Sequence, residues 1–403
     1  MTWPITRMGD HFRVKHGFAF KGQYFTNDGP YVLLTPGSFH EEGGYRDQGE
    51  KTKYYTGDVP DGFVLDKGDL IVAMTEQAPG LLGSSAWIPE TGRFLHNQRL
   101  GRIVDLDERR LNKRFLYYLF NTKHVRNQIS ATASGGKVRH TAPERISQVR
   151  FPLPPTDTQY RIADMLSAYD DLIENNRRRI ALLEDAARQL YREWFVSFRF
   201  PGHERTPITN GLPEGWSNQR LDGIANVNGE ALPGSYDGEI EYVDIASVIP
   251  GEITKTTTYA FRDAPSRARR VVKHGDIIWS CVRPNRRSHS IIWNPPENLI
   301  ASTGFAVITP TTAPPTFLYF ACTTNAFVGY LENHARGAAY PAVVAADFER
   351  AEILVPSRRL LNMFDECVEP MFSQVHILRQ QNKDLKAARD LLLPRLMSGE
   401  IAA

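Results

Sequence analysis

The chain has 403 residues, a formal net charge of +2, 41% apolar and 23% charged residues, which exceeds one ordinary core and predicts two or three domains that fold without staples. No apolar run approaches the roughly 18 residues of a membrane span, and the start, with Pro4, Arg7 and Asp10, lacks the apolar stretch of a signal peptide, so a soluble cytoplasmic protein is expected. Cys281, Cys322 and Cys367 are odd in number and far apart, which predicts buried free thiols and no metal site or disulfide frame.

Residues 1–155 read as mixed strand and loop. Short β-rich runs at 31–34, 62–65 and 70–74 are separated by Gly, Asp and Pro, and 112–130 has helical spacing. Pro152, Pro154 and Pro155 close this region. From Thr156 or Asp157, plausible caps, the pattern turns helical to about residue 200. A linker at 201–213 follows. Residues 214–356 then repeat the scheme, with strands at 240–245 and 276–280 and a helix near 316–332, and 357–403 form a second long helix. Markers keep the same order in both halves. Trp3 answers to Trp216, Gly68-Asp69-Leu70-Ile71 to Gly275-Asp276-Ile277-Ile278, Phe115-Leu116-Tyr117-Tyr118 to Phe317-Leu318-Tyr319-Phe320, and Phe151-Pro152 to Val355-Pro356. A duplicated frame with divergent contents implies one task performed on two unlike targets.

Both helices carry a 4,3 spacing. The first seam is Ile162, Leu166, Tyr169, Ile173, Asn176, Ile180, Leu183, Ala187, Leu190 and Trp194. Adding 202 to each number gives Phe364, Val368, Met371, Val375, Leu378, Asn382, Leu385, Arg389, Leu392 and Leu396. Ten positions in register predict a coiled-coil pair. The second domain follows one helix and precedes the other, so antiparallel packing is expected, and 33 residues of seam would span roughly 50 Å, more than a DNA turn. In that register Asn176 meets Asn382, Ile180 faces Leu378, Ile173 faces Leu385, Leu183 faces Val375, Leu166 faces Leu392, and Tyr169 stacks on Arg389. Pro370 marks a start or kink of the second helix.

Catalytic spacing is absent. Asn294-Pro295-Pro296-Glu297 lacks the aromatic that an adenine methyltransferase stacks on its flipped base, and Ser134-Gly135-Gly136-Lys137 lacks the Walker A spacing. Cations instead point to nucleic acid. Residues 262–287 hold eight Arg or Lys against Asp263 and Asp276, a density suited to phosphate contacts. Arg pairs with guanine and Asn or Gln with adenine. The expected reading loops are therefore Arg283, Asn285, Arg286 and Arg287 in the second half and the 75–80 loop with Gln77 in the first. The glycine loop with Lys137, Arg139 and His140, and its counterpart at Arg336-Gly337 with Tyr340, suit close backbone approach to phosphate. Ordinary solvated surface is the competing reading for each.

Three strings resemble the specificity (S) subunits of type I restriction-modification systems. They are Trp194-Phe195-Val196-Ser197-Phe198-Arg199-Phe200-Pro201-Gly202-His203-Glu204 followed by Leu212-Pro213-Glu214-Gly215-Trp216, the tail Leu391 to Ile401, and Leu153-Pro154-Pro155-x-x-x-Gln159-x-x-Ile162-Ala163-x-x-Leu166 with Asp170 and Ile173. The second helix departs from the last pattern at Leu361 and Asn362. The resemblance implies an α+β fold: two mixed α/β target-recognition domains joined by two long antiparallel coiled-coil helices. It also implies a non-catalytic subunit that binds double-stranded DNA and docks two methyltransferase (M) subunits and motor nuclease (R) subunits. S-adenosylmethionine, ATP and magnesium would reside in those partners, with no cofactor in this chain. A coiled-coil assembly scaffold without sequence-specific reading, and a reader fused to its own catalytic domain, are the rival readings.

Overall fold

The computed structural model describes residues 3–77 and 79–403, and Ala78 of the expected first reading loop lies outside them. The chain divides into two compact units, 1–173 with 383–403, and 174–382.

The first unit holds a four-stranded antiparallel sheet in the order Arg13–His16, Leu100–Val104, Leu70–Ala73, Ser85–Trp87, and a five-stranded sheet in which Tyr31–Leu33 runs parallel to Phe94–Leu95. The run Leu70–Ala73 is buried throughout because it serves two cores. Leu70 and Val72 pack with Phe115 and Phe120, while Ile71 and Ala73 pack with Val32 and Phe94, the two-residue alternation of a strand covered on both faces. The second unit repeats this plan. Its antiparallel sheet runs Ala225–Val227, Phe305–Pro310, Ile277–Ser280, His289–Ile291, and its second sheet again has one parallel pair, Glu239–Val243 with Leu299–Ser302. Ile277 and Trp279 serve one cluster and Ile278 the other.

The duplicated Gly-Asp marker has a local cause. Gly68 (φ +83) and Gly275 (φ +87) take the left-handed conformation, and the aspartate after each accepts the N–H three residues back, Asp66 N to Asp69 at 2.9 Å and Lys273 N to Asp276 at 2.7 Å. Each turn thereby feeds the central strand. A short strand then closes each domain ahead of its long helix, Ile5–Arg7 on Arg150–Pro152 and Ser217–Arg220 on Glu352–Val355.

Each expected domain helix is two helices. Lys113–Phe120 and Lys123–Ala131 are separated by Thr122, whose hydroxyl accepts from Val125 N, and Pro315–Ala321 and Asn325–His334 are separated by Thr324, which accepts from Phe327 N. A threonine N-cap opens a new helix where apolar spacing alone runs on.

The first long helix spans Thr156–Tyr191 and ends in a π-helical turn, Arg192–Val196. The second spans Arg358–Ser398, so Pro370 is not its start. Pro370 and Glu366, whose carbonyl loses its donor, are both exposed, while Phe364, Val368 and Val375 are buried around them, and that burial outweighs the roughly 3 kcal/mol cost of an internal proline. None of the twenty seam positions is exposed. In the first unit the start of helix one (Ile162, Leu166) shares a cluster with the end of helix two (Leu396). In the second, Tyr191 and Trp194 each lie 6.0 Å from Phe364. The helices are therefore antiparallel. Asn176, 6% exposed, donates to Asn382 Oδ1 at 3.0 Å.

Arg389 does not stack on Tyr169. Its guanidinium pairs with the neighbouring Asp170, because a carboxylate offers both charge and hydrogen bond to a half-buried cation. The three thiols are free, but only Cys322 is fully buried; Cys367 is exposed because it lies one residue off the seam at Val368.

Candidate nucleic-acid interface

In each unit the loop after the central strand is stitched to the glycine loop after the domain helices. In the first unit Thr75–Glu76 pairs antiparallel with Arg139–His140, and Ser134 bridges His140. In the second, Val282 and Arg336 both bridge Ala342, and Arg283 N donates to Pro341 O at 2.7 Å. The glycine loops share their geometry. Gly135 and Gly337 both sit at φ +102, and a Cβ on Gly135 would lie 2.1 Å from Val138 O. Sequence reasoning placed these loops separately, and the fold joins them into one ridge per unit.

A buried carboxylate organises each ridge. Glu76, 3% exposed, accepts the N–H groups of Gly80, Leu81 and Leu82 at 3.0 Å each and pairs with Arg139 at 3.2 Å. Asp347, 2% exposed, accepts Val344 N at 2.9 Å and both terminal nitrogens of Arg336 at 3.1 Å. Burial opposes ionisation of Asp347, but the Val344 N–H and the Arg336 guanidinium outweigh it and hold its carboxyl below the usual range. Arg139 and Arg336 are thus committed to ion pairs that brace the loops. Both guanidiniums stay partly open to solvent while paired, the Arg336 side chain at 63% and the Arg139 side chain at 33% exposure. Neither acid was singled out from sequence, because a lone Glu or Asp carries no pattern.

The remaining expected residues lie at the surface of the ridges. Gln77 and Lys137 are exposed in the first unit, as are Asn285 and Arg286 in the second. Arg283 and Arg287 flank the turn Pro284–Arg286 with φ of +53 and +52, a conformation uncommon outside glycine. Local bonds hold it. Arg283 donates to Ala339 O at 3.2 Å and its guanidinium lies 4.6 Å from the centre of the Tyr340 ring, itself 69% exposed, while Arg287 donates to Asn325 Oδ1 at 2.7 Å. Among the described residues no carboxylate pairs with Arg283, Arg286 or Arg287, so the turn keeps its positive charge.

The basic run is not one patch. Arg262 pairs with Asp263, Lys273 with Glu230, and Arg269 lies over the Phe261 ring. The strands Ala268–Val271 and Ile277–Ser280 belong to different sheets, which disperses charges that are contiguous in sequence. Among the described residues no group of three or more His, Cys, Asp and Glu could hold a metal, and no helix is long and apolar enough to cross a membrane. Asn294-Pro295-Pro296-Glu297 forms the turn before Leu299–Ser302, with Leu299 N donating to Pro296 O.

Residues 1–185 match the family model for the type I restriction modification DNA specificity domain. The type I restriction enzyme MjaIX specificity subunit of Methanocaldococcus jannaschii is 25% identical over 300 residues, 71% of this chain and 68% of that one. The EcoBI specificity subunit of Escherichia coli is 27% identical over 276 residues, 62% of this chain and 54% of that one. The crystal structure of a type I restriction-modification S subunit from M. genitalium superposes with a TM-score of 0.61 at 18% identity, covering 98% of this chain and 96% of the other, and shares the fold. By the match over residues 1–185 and by these relatives, the chain is similar to the specificity subunits of type I restriction-modification systems.

Proposed function

We infer that this chain is the non-catalytic DNA sequence-specificity subunit of a type I restriction-modification enzyme, each recognition domain binding one half of an asymmetric bipartite site. The observation that carries this reading is the pair of equivalent ridges with unlike surface groups: Gln77 and Lys137 on one, Arg283, Asn285, Arg286 and Arg287 on the other. A common frame with different donors suits two unlike half-sites. We assign the recognition domains to residues 1–155 and 214–356, joined by the linker 201–213 and the helical regions 156–200 and 357–403. The helices would dock two methyltransferase subunits, with motor nuclease subunits completing the enzyme in the cytoplasm. S-adenosylmethionine, ATP and magnesium would be bound by those partners. A scaffold alone gives no reason for three arginines held in a turn without carboxylate partners. Mapping methylated adenines in DNA exposed to this chain and its methyltransferase subunits tests the reading. Methylation confined to one two-part sequence is expected, and sequence-independent or absent methylation would overturn it.

A further inference from the structure

The joint between recognition domain and helices is built from different chemistry in the two units, at equivalent positions. In the first unit the Tyr118 hydroxyl donates to Asp170 Oδ2 at 2.6 Å, and Asp170 also pairs with Arg389. Tyr118 is on the domain helix Lys113–Phe120, Asp170 on the first long helix and Arg389 on the second, so one carboxylate ties three elements. The offset of 202 that aligns the two seams carries Tyr118 to Phe320 and Asp170 to Phe372, and Arg389 answers to Ala187. There the equivalent positions are apolar: Phe320 and Phe372 lie 5.8 Å apart, Phe372 stacks on Trp293 at 5.4 Å, and Ala187 is buried. Polar ties lie elsewhere, Thr316 Oγ1 donating to Asp365 Oδ1 at 2.6 Å and Arg379 to Gly251 O at 3.1 Å and Glu184 at 2.6 Å. At these three aligned positions the polar groups of the first unit have no counterpart in the second.

Apolar packing is non-directional and tolerates small rotations, whereas a carboxylate shared between a hydroxyl and a guanidinium fixes distance and angle. Tyr118 is 5% exposed and the Arg389 and Asp170 side chains 14% and 28%, so water does not readily replace these bonds. Arg389 is further held by Asp390, with bonds of 2.7 and 3.0 Å.

We propose that Tyr118, Asp170 and Arg389 are positioning residues that fix the first recognition domain on the helix pair, and that this joint sets how strictly the assembled enzyme discriminates between spacings of the two half-sites. The second clause rests on the function proposed above. The first does not.

Two readouts on the full-length chain test it. In Asp170→Ala, amide hydrogen exchange of segments 113–120 and 385–393 should rise about tenfold, the change a coupling between contacting residues typically produces, with the sheet strands 70–73 and 100–104 unchanged. With methyltransferase subunits bound, methylation of DNA whose half-sites are one base pair nearer or farther should rise about tenfold relative to the cognate spacing. Asp170→Asn keeps an acceptor for Tyr118 and should give smaller changes in both. Unchanged exchange, or exchange raised equally in the sheet strands, would overturn the joint. Local exchange changes with spacing discrimination intact would reduce it to a stabilising contact and overturn its role in discrimination. Wild-type protein that methylates without sequence preference would defeat the proposed function, and exchange alone would then decide the joint.

Discussion

Gln159 shows how a single side chain makes a family motif intelligible. It is fully buried; its Oε1 accepts Asn112 N at 2.8 Å, and its amide donates to Arg110 O and Pro154 O at 2.9 Å each. It thereby satisfies groups at the start of Lys113–Phe120 that the helix cannot. In the second copy Leu361 replaces it, and Pro314 stands in place of Asn112. Proline has no N–H to satisfy, while Thr312 O, the counterpart of Arg110 O, accepts from Arg358. The departure from the motif is a compensated exchange. Gln159→Leu should therefore cost about 1–3 kcal/mol in denaturant unfolding, and Asn112→Pro should cost less in that background than in the wild type; strict additivity would refute the coupling. His289 supplies a pH test. Burial between Trp279 and Tyr319, with Nδ1 unpartnered, lowers its pKa to about 4. The unfolded chain then binds the extra proton between the ordinary value near 6.5 and 4, so stability falls as pH drops through that window. Thermal unfolding of His289→Phe should show a shallower acid loss than the wild type between pH 6.5 and 4, and equal slopes would count against the assignment.

At the scale of elements, the asparagine pair fixes helix register. Asn176→Leu leaves the Asn382 amide without its partner in a half-buried seam, and should cost about 1–3 kcal/mol, whereas Asn176→Leu with Asn382→Leu should recover most of it; a double variant as unstable as the sum of the singles would show that the bond carries no coupling. For the basic turn, replacing Arg283, Arg286 and Arg287 with alanine should weaken DNA binding by the assembled methyltransferase and flatten its salt dependence by about 0.9 log-log units for each phosphate no longer neutralised. Binding titrations at several salt concentrations check this, and an unchanged affinity and slope would return the turn to ordinary surface. The helices and their partnering were legible because a heptad seam repeats at fixed intervals, and the Gly-Asp turns because a left-handed glycine leaves its own mark. The ridges were not. Glu76 and Arg139 are 63 residues apart, and no local pattern announces which cation a distant buried acid will claim. The breaks at Thr122 and Thr324 were hidden for another reason: apolar spacing continues across them while a capping hydroxyl restarts the helix.

At the scale of the molecule, the apolar clusters are each made of residues from one unit. Met8, Leu70, Phe115 and Leu166 belong to one, and Trp279, Phe317, Tyr191 and Phe364 to another. Two separately cored readers predict separable specificity. Exchanging residues 1–155 for the same region of a related subunit should change one half of the methylated sequence and leave the other half as it was. The exchange has a structural condition. The donor domain must meet the helix residues left behind, where Gln159 satisfies Asn112, Ile162 and Leu166 enter the cluster around Phe115, and Asp170 receives Tyr118. A donor with phenylalanine at the position of Tyr118 would leave the Asp170–Arg389 pair short of a hydrogen bond at a buried site, at a cost of about 1–3 kcal/mol, and should methylate DNA of altered half-site spacing more readily. A donor that keeps the tyrosine and the asparagine should keep the native discrimination of spacing. Sequencing of methylated sites from both chimaeras decides the matter: a matched donor that alters both halves, or neither, would refute independent reading, and a mismatched donor that discriminates spacing equally well would refute the requirement at the joint.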